Sequence, residues 1–455
     1  MMILESCILL IPLMVLPFYT SESAIAWQFI VPAAGSFLLG AIIGRFNRVE
    51  LHGSQLVVFA WLYGFFLASI PFYLHGGLSP VQALFESASG FTTTGLTLLT
   101  PEELPHILLF FRGLLQYVGG LGFVMMVLLF SQSKDSARMY QAEGHTDKLM
   151  ASIGKTVKVI AMIYGGFLFL GTVLYTIFGM PLFDSIVHSM CALSTAGFSN
   201  HADSIGAYNS LPIDCISVFL MLVGLTSFYS LLLLIRGRLK SFLRSSELRF
   251  LGGMMLILVP IITFFLVQDG EPIGESAGRA FFHAVSAVST TGYSTCSLSD
   301  WPEEALGVML IFMLIGGGIG STAGGIKLGR ACRLSKNMVW SIKKKLLTDR
   351  TVKHIYYYHG TDKEIITRDQ IEQDYTFAHV FILIYFAGTI ALTYFADCSL
   401  LEGAFEFASS LGTVGISIGI TNMDTPAICL IIEIIGMALG RLEIFVLLQA
   451  FLTRR

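Results

Sequence analysis

The sequence predicts an all-α polytopic membrane protein: four pseudo-repeated helix–pore-helix–helix modules around one pore, preceded by two N-terminal helices. Two observations carry that prediction. Hydrophobic residues fill 54% of the 455 positions, charged residues only 13%, and the mean hydropathy is +0.73. A spanning helix needs roughly 20 predominantly apolar residues, and the chain offers many such runs. The second observation is an internal repeat. The stretch 282–294, FHAVSAVSTTGYS, has near-copies ending at Gly95, Gly197 and Gly415 as well as at its own Gly292.

The copies match column by column. Two residues before each glycine stand Thr93, Thr195, Thr290 and Thr413; nine before stand Glu86, His188, His283 and Glu406. Six before are Ser89, Cys191, Ser286 and Ser409, and five before are Gly90, Ala192, Ala287 and Ser410. The small pair lets a half-helix pack closely against its neighbours. The glycine permits the backbone conformations of an irregular turn. One such segment is explained by tight packing alone, but four with matched columns are not. Converging on one axis, they would present backbone carbonyls and threonine oxygens, the ligand set that replaces the hydration shell of a monovalent cation.

Taken in order, apolar runs at 3–19 and 27–43 read as the two N-terminal helices (1–50), joined by the polar SESA turn. The opening MMILESC carries no Lys or Arg, which favours a membrane helix over a cleaved signal. Module one (51–150) reads as helices at 52–75 and 105–130 around a half-helix at 80–96; module two (151–246) as 154–178, 182–198 and 211–235. Module three (247–372) reads as 248–268, 275–293 and 303–338, and module four (373–455) as 375–396, 401–416 and 424–452. Each half-helix is too short to span. Of 28 lysines and arginines, all but Arg112, Arg279, Lys327 and Arg441 fall at 44–50, 131–158, 236–249, 330–374 and the terminal Arg454 and Arg455. The positive-inside rule makes that side cytoplasmic. The opposite side collects acids, among them Glu102, Glu103, Asp203, Asp269, Glu271, Asp300, Glu303, Glu304 and Asp424, and an acidic mouth concentrates cations.

The last helix of module three is interrupted by GGGIGSTAGGIK, with glycines at Gly316, Gly317, Gly318, Gly320, Gly324 and Gly325. Each costs a helix roughly 1 kcal/mol relative to alanine. A dinucleotide or P-loop reading fails, because no βαβ unit surrounds the glycines and Ile326 stands where a P-loop has lysine. A flexible loop that blocks or opens the pore is expected, with a kinked packing helix as the plainer reading. Arg441, in GMALGRLEIF, is an ionisable group in an apolar helix, costly unless it faces a cavity or a partner. It is expected to face the pore; pairing with Glu433 or Glu443 is the alternative. Lys327 is read in the same way. The four residues at minus nine are expected to orient their half-helices rather than to bind a metal. The basic 330–374 segment, with Lys343, Lys344, Lys345 and tyrosines at 356–358, suits anionic lipid, a cytosolic partner, or simple solvation. The seven scattered cysteines contain no CxxC and imply no disulfide or metal framework.

With the turns TTTGL, STAGF, STTGY and GTVGI, the GGGIGSTAGGIK interruption and GRLEIF, essentially the whole chain resembles the Trk/Ktr/HKT superfamily of potassium uptake proteins. It resembles the TrkH-type membrane subunit most, given its two extra N-terminal helices. The resemblance implies a K⁺ filter of Thr93, Thr94, Gly95, Thr195, Ala196, Gly197, Thr290, Thr291, Gly292, Thr413, Val414 and Gly415. It implies an intramembrane gating loop from Gly316 through Gly325 and a pore arginine at Arg441. It further implies a homodimer in the cell inner (plasma) membrane, assembled with a separate cytosolic RCK-type nucleotide-binding regulatory protein. No nucleic-acid partner and no covalent chemistry are expected, and the transported ion is the only cofactor of this chain. Val414 and Ile416 make the fourth turn the least polar. The rivals are a Na⁺-permeable or Na⁺-coupled transporter of the same architecture and a membrane-embedded metalloenzyme using His188 and His283.

Overall fold

Proline and apolar length decide the first elements of this computed structural model, which describes residues 2–46, 53–122, 153–346, 354–360, 362–442 and 444–452. Helix α1 (Met2–Leu10) tightens into a 3₁₀ turn at Ile11–Val15, where Pro12 can no longer feed the α ladder. The first segment is therefore shorter than the expected 3–19, and the 3₁₀ turn Thr20–Ile25 carries the chain into α2 (Trp27–Phe46).

The first module comprises α3 (Gly53–His75), α4 (Pro80–Phe91) and α5 (His106–Leu121). The second comprises α6 (Ile153–Ile177), α7 (Leu182–Leu193), α8 (Leu211–Leu225) and α9 (Phe228–Ile235), followed by the short α10 (Leu239–Arg244). The third comprises α11 (Ser246–Gln268), α12 (Ile273–Val288), α13 (Glu303–Ile315) and α14 (Leu328–Lys345). The fourth comprises α15 (Arg368–Ala396), α16 (Leu400–Gly412), α17 (Ala427–Arg441) and α18 (Ile444–Leu452). Among the described residues, five helices are long and apolar enough to cross a membrane, starting at Trp27, Ser54, Gly154, Ser246 and Arg368. The expected end of the first module's last helix at 130, the linker from 131 to 152, Glu443, Arg454 and Arg455 lie outside the described residues.

Three further expectations need correction. The run 424–452 is two helices, α17 and α18, not one. The run 211–235 is not one helix: α8 and α9 meet at 114°. Neither glycine nor proline stands at the break; its cause lies elsewhere in the chain, in the glycine-rich loop described below. The 356–365 stretch, within the basic segment, forms an antiparallel hairpin of β1 (Tyr356–His359) and β2 (Asp362–Ile365), pairing Tyr356 with Ile365 and Tyr357 with Glu364. Gly360, at φ 56°, makes its turn. Consecutive aromatic residues suit a pleated strand.

The half-helices start with strong stop-and-start chemistry. Ser79 with Gln82 and Ser399 with Glu402 form capping boxes, while Pro181 and Pro272 precede the other two. Small residues pack them: Ser89, Cys191, Ser286 and Ser409 are all fully buried. Each half-helix lies against the spanning helix before it: α4 on α3, α7 on α6, α12 on α11, α16 on α15. Each also receives the helix that follows the turn of the preceding module: α5 packs on α7, α8 on α12, α13 on α16, and α17 returns to α4. That return closes the four modules into a ring.

Candidate functional site

Every half-helix ends in the same way. The amide of Thr94 donates to Ser89 O at 3.0 Å, that of Ala196 to Cys191 O at 3.0 Å, that of Thr291 to Ser286 O at 2.9 Å and that of Val414 to Ser409 O at 2.8 Å. Together with donations from Thr93, Thr195, Thr290 and Thr413 three residues back, this is a Schellman termination. The left-handed position of that motif ordinarily takes glycine. Here it holds Thr93, Thr195, Thr290 and Thr413 at φ 58°, 53°, 55° and 52°. For a β-branched residue this is a strained conformation costing about 1–3 kcal/mol. Four copies of one strain, each at the C-terminal and therefore partially negative end of a half-helix, mark a built site that favours cations.

The turn glycines lock the ring. Gly95, Gly197, Gly292 and Gly415 have φ of 93°, 75°, 86° and 87°. A Cβ added to Gly95 would strike the carbonyl of Ala196, one on Gly197 that of Thr291, one on Gly292 that of Val414, and one on Gly415 that of Thr94. The contacts run from each turn to the next and back to the first. All twelve residues of the expected filter are thus brought together. All four glycines line an outer cavity of about 640 Å³; of the acids on the outer side, only Asp203 lines it.

The minus-nine and minus-six columns hold the segment leaving each turn. Glu86 Oε1 accepts from Thr97 Oγ1 at 2.8 Å and from the Leu98 amide at 2.5 Å; Glu406 accepts from Ser417, Ile418 and Thr421. His188 and His283 turn Nδ1 to the carbonyls of Asp184 and Arg279, at 2.9 and 2.8 Å. A carbonyl only accepts, so Nδ1 carries the proton. For His283, Nε2 then receives the Thr295 amide at 3.4 Å, while His188 Nε2 lies 2.9 Å from Ser199 Oγ. These residues stay on separate half-helices and orient them. At minus six, Ser89 and Ser409 accept the amides of Gly95 and Gly415 at 3.1 and 3.0 Å, and Ser286 Oγ donates to Tyr293 O at 2.7 Å. Cys191 does none of this. In its place Gln116 from α5 donates to Ala196 O at 2.6 Å and accepts from the Phe198 amide at 3.0 Å. Sequence reading missed Gln116; the signal was a lone amide in an apolar helix beside the one repeat that lacks serine.

Below the turns lies the glycine-rich loop. Gly316, Gly320 and Gly325 take φ of 69°, 72° and 79°. Gly318 donates its amide to Leu225 O at 2.9 Å, and Gly320 O accepts the Phe228 amide at 3.1 Å. The backbone groups left open between α8 and α9 are thereby satisfied, which accounts for the 114° break. The loop tip reaches three of the four turns. Thr195 Oγ1 donates to Thr322 Oγ1 at 3.1 Å, the Gly324 amide donates to Thr290 Oγ1 at 2.9 Å, and a Cβ on Gly324 would strike Thr413. Gly317 sits beside Ala323 and Leu225.

Arg441 ties the loop to the first module. Its guanidinium donates to Thr322 O at 2.5 Å and to the carbonyls of Gly119, at 2.5 Å, and Gly120, at 3.1 Å. Gly440 permits the approach, since a Cβ there would meet Leu411 O. The alternative partner Glu433 instead accepts from Thr421 at 2.8 Å, and Glu443 lies outside the described residues. Lys327, expected to face the pore, curls back at φ 83° to donate from Nζ to Ala323 O.

Four re-entrant half-helices closed into a ring, with a bonded loop beneath them, are the architecture of a multi-pass pore-forming membrane protein. The comparisons agree. The family model for TrkH, described as cation transport protein, matches residues 52–454. An uncharacterized cation transporter of Methanocaldococcus jannaschii is 30% identical over 453 residues, covering 98% of this chain and 92% of that protein. The Trk system potassium uptake protein TrkH of Salmonella typhimurium is 31% identical over 436 residues, covering 91% of this chain and 89% of its own. The crystal structure of the potassium transporter TrkH from Vibrio parahaemolyticus superposes with a TM-score of 0.86 at 25% identity, over 99% of this chain and 96% of that one. The chain belongs to the TrkH family of cation transport proteins, which is a family of plasma-membrane transporters and not of enzymes.

Proposed function

We propose that the protein takes up K⁺ through the ring of turns, with Thr93, Thr94, Gly95, Thr195, Ala196, Gly197, Thr290, Thr291, Gly292, Thr413, Val414 and Gly415 as the filter. The observation that carries this reading is the cyclic contact in which each turn glycine faces the next turn's carbonyl. Carbonyls held in a closed ring can replace the hydration shell of a monovalent cation at little cost in reorganisation. K⁺ as the cargo is supported by the relatives, which include a potassium uptake protein and a potassium transporter. The modules 51–150, 151–246, 247–372 and 373–455 each contribute one turn.

The loop from Gly316 to Gly325 acts as the gate, held shut by Arg441. Its support is the set of bonds from Thr322 and Gly324 to the turn threonines and from Arg441 to Thr322. Opening requires those bonds to be exchanged for water. A cytosolic RCK-type nucleotide-binding protein drives that exchange in a homodimeric assembly, a reading that rests on family resemblance.

The test is cation flux into liposomes holding the purified protein under K⁺, Rb⁺ and Na⁺ gradients, with Gly292→Ser alongside. Flux should favour K⁺ and Rb⁺. The serine must take φ 86° and press on Val414 O, so the K⁺/Na⁺ ratio should fall; an unchanged ratio refutes the filter. Arg441→Ala removes charge-assisted hydrogen bonds worth about 1.5–3 kcal/mol each and should raise K⁺ flux severalfold. A folded variant with unaltered flux returns Arg441 to a structural role.

A further inference from the structure

The cytoplasmic ends of α11 and α14 and the strand β1 enclose a second cavity of about 580 Å³ that the ion path does not use. Its place is fixed by α11: Ser246, Arg249 and Phe250, in the first turns of that spanning helix, form one wall. The cavity therefore sits where the bilayer meets the cytoplasm. Its cationic side chains are Arg249, Lys336 and Lys343, beside His354, and among the described residues no carboxylate lines it. Apart from Ser246 and Ser335 the rest of the wall is apolar or aromatic, including Trp340, a residue type favoured at headgroup depth. Beside it α14 exposes Met338, Val339 and Ile342, at 55%, 45% and 57%, as an apolar strip continuous with Val339 of the wall.

We propose that this cavity binds the phosphate headgroup of an anionic phospholipid from the cytoplasmic leaflet, with an acyl chain laid along Met338, Val339 and Ile342. Charge complementarity selects the occupant: cations in a wall with no carboxylate among the described residues, at the cytoplasmic bilayer face, attract anionic lipid, and the apolar strip suits a ligand with a tail. Free phosphate or a nucleotide would satisfy the cations and leave the strip uncovered. The alternation of strand β1 makes the site consequential. Tyr356 and Tyr358 face the cavity, while Tyr357 faces the other way and donates its hydroxyl to Glu247 Oε1 at 3.0 Å. The same carboxylate oxygen accepts the amide of Ile319 in the glycine-rich loop, at 3.3 Å. Lys336 Nζ spans the two sides, donating to Ser246 Oγ at 2.9 Å and to Tyr356 O at 3.0 Å. A headgroup that competes for Lys336 or presses on β1 bears on the loop through one tyrosine and one glutamate. This second step rests on the gate reading; the binding step does not.

The experiment separates the two. Native mass spectrometry of the purified full chain in detergent, titrated with phosphatidylglycerol or phosphatidylcholine, reads binding. Arg249→Gln with Lys343→Gln should weaken phosphatidylglycerol retention about 25-fold, at about a factor of five per charge near the membrane surface, and leave phosphatidylcholine unaffected. Equal retention by the double variant and the parent overturns the site. So does displacement of the lipid by millimolar inorganic phosphate or ATP, which would assign the cations to a soluble anion. K⁺ flux in phosphatidylglycerol against phosphatidylcholine vesicles reads the coupling. Tyr357→Phe, which cuts the link to Glu247 and keeps the cavity, should retain lipid binding and lose the lipid dependence of flux. Lipid dependence retained in Tyr357→Phe overturns the proposed link while the binding result stands alone.

Discussion

The first and fourth turns are built alike but face unlike partners, an arginine in one and a second carboxyl in the other. Both hang the outgoing segment on a buried glutamate at minus nine, Glu86 in one and Glu406 in the other. The residue that faces this glutamate comes from the following helix, six residues beyond its first: Arg112 on α5, Glu433 on α17. Ser217 and Met309 hold the corresponding places in the second and third modules. Arg112 lies 3.7 Å from Glu86, donates to Thr97 Oγ1 at 2.8 Å and stacks 4.2 Å over Phe198. Glu433 shares Thr421 with Glu406, and among the described residues neither carboxyl has a basic partner. The backbone requirement is therefore met by one carboxyl per turn, and the second residue is free to differ. The repeat conserves geometry and lets electrostatics vary, so the ring is four-fold in shape but not in field.

The largest consequence is expected in module one. Glu86→Gln keeps an oxygen to accept from Thr97 and Leu98 but leaves the Arg112 charge buried and unpaired. Losing one partner of a buried pair costs roughly 3–5 kcal/mol. Thermal unfolding in detergent should show a loss of that order, largely recovered in Glu86→Gln with Arg112→Gln. If the single variant is as stable as the parent, Arg112 is not held by Glu86 and the contrast between the modules collapses.

A smaller effect is expected in module two, where the support comes from outside the repeat. Gln116→Leu strands the Ala196 carbonyl and the Phe198 amide, at about 1–3 kcal/mol for a buried group left unsatisfied. Stability and K⁺/Na⁺ discrimination should fall together. Adding Cys191→Ser offers the Gly197 amide the hydroxyl that Ser89 and Ser409 offer to Gly95 and Gly415, but serves neither group that Gln116 holds, so it should restore little of either. Full rescue would mean that the turn needs a hydroxyl at minus six and not the amide of Gln116.

These cases also mark what was legible in the sequence. The four modules, the half-helices and the glycine-rich interruption were readable because each follows from local pattern: apolar length, matched columns, clustered glycine. The left-handed threonines were not, because propensity argues against them and only the closed ring enforces them. The break between α8 and α9 was hidden for a similar reason: the groups that satisfy Leu225 and Phe228 come from Gly318 and Gly320, far along the chain. Gln116 and the facing pair Arg112 and Glu433 were visible as isolated polar residues, but their partners lie on other helices.

The smallest effect is expected in module four and tests the comparison most directly. Two buried carboxyls with no basic partner gain no ion pairing. Glu433→Gln keeps an acceptor for Thr421 Oγ1 and offers an amide donor toward Glu406, so both known hydrogen bonds survive and no ion pair is lost. Stability should change by less than about 1 kcal/mol, or rise, against the much larger loss for Glu86→Gln. Both substitutions turn a buried glutamate into glutamine, one opposite an arginine and the other opposite a second carboxyl. If Glu433→Gln destabilises as strongly as Glu86→Gln, the fourth turn depends on Glu433 as the first depends on the pair of Glu86 with Arg112, and the contrast between them fails.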